Sequence, residues 1–339
     1  PGFTVGSAGN PDLRPEKSTE IEGGLDLGLF QDRVNLEYTH YDKITKDALV
    51  DVNLAPSLGS SPTRFQNLGQ VRNYGDELLL RAALLDLRAV KLDLTVNGAW
   101  NSNHLDQLGV DALGNPLPDI TAGFNSTQII RAGLPLGAYY QRPIVSYADA
   151  NGDGLIGCAG GLGSATCEIQ VGSTPTYLGS PFPASEISFV PAVSLGNAVR
   201  MTATFDHRGG QKLFNLTAYY RNTAIQNGAP AQLPGPDNLA AQAAAQGGAH
   251  GTFAGFIENA SFTKLREVAL TLTLPPSLAA RAGAGSATLT FAGRNLHTWT
   301  SYSGLDPELN AAAQANFSSA DFLTAPQVRY FTARLALSF

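Results

Sequence analysis

The segment Val90-Lys-Leu-Asp-Leu-Thr-Val-Asn-Gly-Ala-Trp-Asn101 carries the pattern that decides the fold. Its even-numbered residues are apolar or glycine, whereas its odd-numbered residues are polar or charged, with Ala99 as the exception. Successive side chains of a β-strand point to opposite faces, so strict alternation places one class of residue on each face. The segment therefore predicts a strand that separates an apolar medium from a polar one.

The same alternation recurs along the chain and predicts about nine strands. Residues 19–30 form one such segment, and after a turn at Gln31-Asp32 the pattern resumes at 33–39, which indicates a hairpin. Ionisable residues such as Arg200, Asp206 and Arg334 fall at the positions that alternate with the apolar ones. The inner face of a soluble β-sandwich would not usually contain so many charges. The remaining candidates are about 74–85, 186–195, 199–208, 264–274, 286–296 and 328–339.

Composition narrows the class of protein. Charged residues make up 15% of the 339 residues, while Gly (36) and Pro (20) are plentiful, which favours strands and turns over helix bundles. The net charge of −6 and the lack of Lys or Arg runs interleaved with aromatics argue against nucleic acid as a partner. No segment approaches the roughly 20 apolar residues of a membrane helix, so a membrane would have to be crossed by strands.

The connections between the predicted strands alternate in length. Short links fall at Gln31-Asp32, 86–88, 196–198 and 275–285, and long ones at about 45–73, 102–185, 209–260 and 297–327. Outer-membrane barrels join their strands in this way, with short periplasmic turns and long extracellular loops. We therefore predict an all-β, antiparallel, up-and-down transmembrane barrel. Pro191 would remove a ladder hydrogen bond inside one strand, and 237–246 is Ala-rich enough to form a short helix within its loop.

Several segments carry a family resemblance. These are Asn10-Pro-Asp-Leu-Arg-Pro-Glu-Lys17, Asn67-Leu-Gly-Gln-Val-Arg-Asn-Tyr-Gly75 with Glu77, Asp149-Ala-Asn-Gly-Asp-Gly154 with Tyr177-Leu-Gly-Ser-Pro-Phe-Pro183, and Gly293-Arg-Asn-Leu-His-Thr-Trp-Thr-Ser-Tyr-Ser-Gly-Leu-Asp-Pro-Glu308. In this order they resemble segments of the TonB-dependent outer-membrane receptors, specifically the SusC/RagA-like branch. The resemblance covers nearly the whole chain.

The resemblance implies a barrel of about 22 strands plugged by an N-terminal domain. It implies import of glycans, peptides or similar nutrients across the bacterial outer membrane, with energy from the TonB complex and a SusD-like surface lipoprotein as partner. Residues 1–339 then form the C-terminal part of the barrel, and the plug and early strands are absent from this sequence. The main rival is a non-transporting barrel that acts as a surface scaffold or adhesin; a hydrolase is poorly supported.

One loop has the spacing of a cation site. Asp149, Asn151 and Asp153 occupy positions one, three and five of an EF-hand-like loop, with the Leu155 carbonyl as a possible fourth ligand. The twelfth position is Gly160, so the usual bidentate carboxylate is missing unless Glu168 or water replaces it. Weakly bound structural calcium and a metal-free turn both remain open.

Other candidates are weaker. Cys158 and Cys167 lie in a Gly-rich segment and predict a local disulfide, with free thiols as the alternative. The five histidines are scattered, and there is no Gly-x-Ser-x-Gly segment, so we assign no catalytic residues and expect no enzyme. Aromatic residues on the predicted loops and rims fit either cargo contacts or an interfacial girdle; these are Trp100, Tyr139-Tyr140, Tyr219-Tyr220, Trp299 and Tyr302.

Overall fold

The computed structural model describes residues 9–53, 63–110, 115–225, 229–312 and 317–339. Its largest element is an antiparallel sheet of nine strands, which are numbered here in chain order. The strands are β1 (Lys17–Leu29), β2 (Val34–Asn53), β3 (Thr63–Asp86), β4 (Val90–Gln107), β5 (Ser185–Leu195), β6 (Val199–Gly209), β7 (Phe262–Thr273), β8 (Ser286–Thr300) and β9 (Tyr330–Ser338).

Each of these strands pairs with its neighbours in the sequence, so the spatial order is simply β1 to β9. The up-and-down antiparallel architecture predicted from the sequence is therefore confirmed, and each predicted strand segment lies within or overlaps an observed strand.

The register separates two faces along the whole sheet. One row of paired residues is apolar throughout and runs across seven strands: Leu27, Leu36, Leu80, Val96, Phe189, Phe205 and Leu265. The row beside it is largely polar or charged: Asp26, Glu37, Leu79, Asn97, Ser188, Asp206 and Lys264. Large apolar side chains on the first face stay exposed, among them Leu25, Met201, Phe291 and Leu335. An apolar outer surface around a polar lumen is the arrangement of a barrel in lipid.

The two ends of the sheet differ as predicted. Short links follow β1, β3 and β5 at one end, and the link after β7 contains helix α3 (Pro276–Arg281). Long connections lie at the other end, after β4, β6 and β8. We call the first end periplasmic and the second the outer end.

One predicted loop was wrong. Residues 45–73 are not a long connection, because β2 and β3 remain paired as far as Asn53 and Thr63. Only 54–62 lie between these strands, outside the described residues. The alternation fades there because neither face meets lipid: Arg72 pairs with Asp42 on one face, and on the other Val71 packs under the loops while Asn103 pairs with Asn73. With 20 and 24 residues, β2 and β3 exceed the roughly 10 residues that cross a membrane, so their outer halves project above it.

Pro191 lies within β5, as the sequence suggested. The β5–β6 ladder pairs Phe189 with Phe205 and Ala192 with Thr202, and it has no pairs at Val190 and Pro191. On its other side β5 stays paired with β4, where Leu94 lies opposite Pro191. The proline therefore interrupts one ladder without ending the strand.

The long connections fold into a layer of their own at the outer end. Helix α1 (Leu216–Tyr220) and helix α2 (Leu239–Ala249) belong to this layer, and α2 confirms the predicted Ala-rich helix. Its short strands are Ile120–Ala122, Gln128–Ile130, Ala138–Gln141, Ile144–Tyr147, Ile169–Val171, Thr176–Gly179, Lys212–Asn215, Ile257–Asn259 and Ala320–Asp321. Single turns of 3-10 or π-helix complete it at Phe124–Ser126, Arg221–Ile225, Pro230–Gln232, Pro236–Asn238 and Ala254–Phe256.

Most buried side chains lie in this outer layer. One apolar cluster centres on Tyr139, Phe214 and Phe256, and another joins the projecting strands, through Val71 and Leu105, to the loop residue Ile130. The layer is thus packed rather than loose, and it can hold side chains in fixed positions above the lumen. Within the described ranges, no helix is long and apolar enough to cross a membrane.

Candidate functional site at the outer end of the lumen

A large cavity opens on the polar face of the sheet beneath the outer layer. Its volume is about 910 Å³, and its walls come from β1 to β5 and from the connections after β4 and β8. Polar side chains such as Glu20, Lys43, Glu77 and Asn103 line it. Lys43 pairs with Glu20 at 3.1 Å, so the charges on this wall are partly matched across strands. The cavity provides an open space lined by many hydrogen-bonding groups.

A cluster of buried and partly buried charges fixes the last outer connection to the sheet. Lys264 on β7 contacts Asp306 at 2.7 Å and also donates to Glu308. Arg266 donates two hydrogen bonds of 2.6 Å to the Glu308 carboxylate and contacts Asp206 on β6 at 2.6 Å. We call these residues, Lys264, Arg266, Asp206, Asp306 and Glu308, the rim ion cluster.

A β-bulge explains how β7 supplies so many charges to one face. The register shifts between Leu265 and Glu267, which leaves Arg266 as an extra residue without a ladder partner. Arg266 points into the lumen towards Glu308, and Glu267 also faces the lumen, where it pairs with Arg294 on β8. A bulge redirects side chains in this way and is common near functional sites.

The protonation of Glu308 reflects this setting. Burial alone would raise the pKa of Glu308, but hydrogen bonds from Arg266 and Lys264 outweigh burial and lower its pKa from 4.5 to about 2. The carboxylate therefore stays charged at neutral pH and keeps both cations satisfied.

A second buried carboxylate holds the outer layer together. Asp321 accepts hydrogen bonds from the Tyr302 hydroxyl at 3.0 Å and from Thr217 at 3.1 Å. Burial, together with the nearby Asp321 charge, raises the pKa of Tyr302. Burial also raises the pKa of Tyr139 to about 12, and its hydroxyl donates to the Ser319 carbonyl and accepts from the Phe214 amide. Tyr139 and Tyr302 are buried and stabilise the outer layer from within. Their burial does not fit the sequence-based suggestion that they contact cargo.

The other aromatic residues fall into two groups. Tyr219 packs in the loop core with its ring 5.1 Å from that of Phe253. Trp100 and Trp299 are exposed, and Trp299 stacks on Phe205, which belongs to the apolar outer face. The tryptophans therefore match the girdle interpretation, in which aromatic side chains lie at the membrane–water interface.

The Asp149 loop is held by hydrogen bonds from backbone amides to side-chain carboxylates. The Asp149 carboxylate accepts from the Gly152 and Gly154 amides at 2.8 and 2.9 Å, and Asp153 accepts from Leu155 at 2.8 Å. Glu168 accepts from the Ala150 amide at 2.8 Å. In the part of the chain that the structure describes, no group of three or more His, Cys, Asp or Glu side chains is placed to hold a metal.

Calcium at this loop stays a prediction, with Asp149, Asn151, Asp153 and the Leu155 carbonyl as its candidate ligands. The predicted disulfide is confirmed: Cys158 and Cys167 are bonded. Cys158 also packs with Ile156 and Ile169 beneath helix α2. The bond therefore closes a small loop directly after the Asp149 turn.

Sequence reasoning missed the rim ion cluster, although a signal for it was present. Asp306-Pro-Glu308 ends the last segment of the family resemblance, and Lys264 and Arg266 share one parity of a predicted strand. Charges of opposite sign on separate segments suggest pairing only when their positions in space are known. The bulge at Arg266 does shift the alternation, from apolar Leu265 to apolar Val268 and Leu270, but this change of phase does not show which charges pair.

Comparisons with known proteins agree with this geometry. The family model described as "TonB dependent receptor-like, beta-barrel" matches residues 1–246. TonB-dependent receptor P26 of Formosa agariphila is 25% identical over 337 residues, which cover 91% of this chain and 32% of the relative. TonB-dependent receptor SusC of Bacteroides thetaiotaomicron is 24% identical over 325 residues, covering 91% of this chain and 31% of its own length.

The solved structure of the RagAB peptide importer in its closed-closed state shares the fold, with a TM-score of 0.75 and 24% identity. The alignment covers 100% of this chain and 37% of the chain in that structure. The chain thus spans about a third of the length of the relatives it matches. Since the family model matches well over half of the sequence, the chain belongs to the TonB-dependent receptor-like β-barrel family of the bacterial outer membrane.

Proposed function

We propose that this chain is the C-terminal part of an outer-membrane receptor that imports nutrients with energy supplied through TonB. The observation that carries the proposal is the sheet itself, with an apolar face on one side and a charged, cavity-bearing face on the other. A lumen of this kind offers polar cargo a path through lipid, and the packed outer layer above it provides surfaces for capture.

The proposal includes parts beyond this sequence. Within the described residues, β1 and β9 form open edges of the sheet. Unpaired backbone groups in lipid cost several kcal/mol each, so further strands have to complete the barrel. By analogy with the family we propose an upstream plug with a TonB-contact segment and a SusD-like surface lipoprotein over the outer end. Glycans and peptides are the proposed cargo classes.

We further propose that the receptor carries out no chemistry on its cargo. The acidic and basic side chains at the outer end pair with one another in the rim ion cluster, and the buried Asp321 is held by two hydroxyl groups. Groups engaged in this way support structure and binding rather than proton transfer. The rival function, a scaffold or adhesin, requires the same barrel but no energy input.

Uptake measurements in whole cells separate the two functions. Cells that express the full-length receptor would be given fluorescent peptide and oligosaccharide mixtures, in a host with TonB and in a matched host without it. Import predicts accumulation inside the outer membrane only in the host with TonB. Surface labelling of equal strength in both hosts, without accumulation in either, would favour the scaffold or adhesin.

A further inference from the structure

A second cavity adjoins the large cavity on the polar face of the sheet, which we call the lumen cavity. The volume of the second cavity is about 480 Å³, within the range of pockets that enclose small ligands. Three stretches of chain form most of it: 181–183 before β5, 211–213 after β6, and the last outer connection at 307–310 and 317–319. Phe182, Pro183 and Phe317 line both cavities, so the two meet at these residues. We call the second cavity the rim pocket.

Phe182 is presented to this junction by a rigid segment. It lies between two prolines, and the proline that follows restricts its backbone to extended conformations. Its amide donates to the Ser180 hydroxyl at 3.0 Å, and the Ser180 carbonyl accepts from the Lys212 amide at 2.7 Å. Phe182 is nevertheless 39% exposed, although it belongs to the packed outer layer. Its ring therefore offers an apolar surface in a fixed position beside both cavities.

Phe317 meets Phe182 edge to face, with the two ring centroids 6.3 Å apart. The φ angle of Phe317 is +57°, in the left-handed region that a bulky residue rarely adopts. Such a conformation persists only where the surroundings enforce it, and it is frequent at ligand-binding sites. The outer layer thus holds Phe317 against its own backbone preference, at the boundary of the two cavities.

Gln128 supplies the contacts that hold Phe317. It is 1% exposed, and its side-chain nitrogen donates to the Phe317 carbonyl at 3.0 Å while its oxygen accepts from the Ser319 amide at 2.9 Å. Gly137 lies close against the same residue, because a Cβ there would come within 2.9 Å of the Phe317 Cβ. Gln128 and Gly137 belong to the connection after β4, whereas Phe317 belongs to the connection after β8. Contacts between two separate connections therefore fix the position of Phe317.

The charged side chains of the rim pocket are engaged with partners of their own. Glu308 accepts from Lys264 and Arg266, and Arg208 lies 3.1 Å from Glu186. Phenylalanine, proline and leucine side chains form most of the remaining wall. A sugar ring in this space would bring several hydroxyl groups that need hydrogen-bond partners, and burial without them is unfavourable. An apolar group needs no such partners and gains by leaving water.

Resting on the proposed import function, we infer that Phe182 and Phe317 bind an aromatic or branched aliphatic side chain of a peptide cargo. Gln128 is the positioning residue for this contact. The peptide main chain lies in the adjoining lumen cavity, whose walls carry many hydrogen-bonding groups. Of the two cargo classes proposed above, the rim pocket therefore selects peptides, and among peptides those with a large apolar side chain.

Binding of matched peptides to the full-length receptor in detergent tests this inference. The probes are fluorescently labelled pentapeptides Gly-Gly-X-Gly-Gly with Phe, Leu or Ser at X, and labelled maltohexaose as a neutral oligosaccharide. We expect the Phe and Leu peptides to bind about tenfold more tightly than the Ser peptide, because burial of one large apolar side chain supports such a ratio. Phe182→Ser should abolish this ratio and leave the affinity for the Ser peptide unchanged.

Two further variants test how Phe317 is positioned. Phe317→Gly adopts a positive φ without strain but removes the ring, so the ratio should fall close to one. Gln128→Leu retains the ring and much of the buried volume but removes the hydrogen bonds to 317–319, so it should also lose most of the ratio. A purely structural role would weaken binding of all three peptides equally and leave the ratio intact.

Leu323→Gly is the matched control, because Leu323 also has a positive φ, of +50°, and lies in the same outer connection but outside both cavities. It should leave the ratio intact, and heat-dependent gel mobility verifies that every variant is folded.

The inference would be overturned by equal affinity for the Phe and Ser peptides in the unsubstituted receptor, or by a ratio that survives both Phe182→Ser and Phe317→Gly. Binding of maltohexaose but of no peptide would overturn it as well. TonB-dependent uptake without the ratio leaves the proposed function standing and refutes the rim pocket contact. The ratio without uptake supports the contact and refutes only the import function.

Discussion

The Lys264 ammonium lies 2.7 Å from an Asp306 carboxylate oxygen, and only 6% and 10% of the two side chains are exposed. This pair joins strand β7 to the last outer connection, 42 residues further along the chain. A buried pair of this kind adds little net stability compared with an apolar pair, but it is costly to break on one side. Its effect is to fix where the connection lies.

Replacement of Lys264 by Met should release that connection. Asp306 would remain buried without its cation, at a cost of roughly 3–5 kcal/mol. Hydrogen exchange followed by mass spectrometry should show lost protection in peptides that cover 301–312. Lys91→Met, which breaks the exposed pair with Asp86, should change stability by less than about 1 kcal/mol. Similar exchange in the two variants would show that burial of the Lys264 pair has no structural effect.

Acid should loosen the same connection through Glu308. The pKa of Glu308 falls from 4.5 to about 2 on folding, because hydrogen bonds from Arg266 and Lys264 outweigh its burial. A lowered pKa gives stability that is fully present above pH 4.5 and is lost as the pH falls towards 2. Proteolysis by pepsin between pH 4.5 and 2 should therefore cut 301–312 faster as the pH falls. Glu308→Gln should remove most of this dependence, and an unchanged profile would contradict the assignment.

Calcium binding at the Asp149 loop can be tested directly. With no carboxylate at the twelfth position we expect affinity near 10⁻⁴–10⁻³ M. Calorimetric titration should show this binding, and Asp153→Ala should abolish it, whereas Asp237→Ala on the neighbouring segment should not. If no heat of binding were measured, or if the unsubstituted protein and both variants gave equal heats, the loop would be a metal-free turn held by hydrogen bonds from its amides.

The parts of this structure that could be predicted from sequence are the strands in which apolar and polar residues alternate. Alternation correctly predicted Val90 as the first residue of β4 and Val199 as the first residue of β6. It did so because lipid on one side of the sheet and water on the other require opposite classes of side chain. The same logic failed above the membrane, where β2 and β3 continue with one exposed face and one face that packs under the loops through Val71, so lipid no longer imposes alternation.

The candidate site depends on contacts between segments that are far apart in the chain. Gln211 and Phe317 line one pocket although 105 residues separate them. The change of phase after Leu265 marks the bulge in the sequence but does not show that Arg266 pairs with Glu308. Local motifs located the Asp149 turn and the Cys158–Cys167 bond correctly, since both close within a few residues. The rim ion cluster could be recognised only in the folded structure.

The assignment of the two faces predicts opposite effects for neighbouring residues of β6. Met201 points to the apolar face, is 49% exposed and pairs with Leu270, whereas Thr202 points to the lumen. An arginine facing lipid near the middle of a barrel costs about 2–4 kcal/mol, while one facing a hydrated lumen costs little. Met201→Arg should therefore lower the free energy of unfolding in phospholipid vesicles by that amount, and Thr202→Arg should change it by less than about 1 kcal/mol. Guanidinium titrations followed by tryptophan fluorescence measure both variants under the same conditions. If Thr202→Arg were the more damaging of the two, the faces would be reversed and the lumenal position of the rim ion cluster would be wrong.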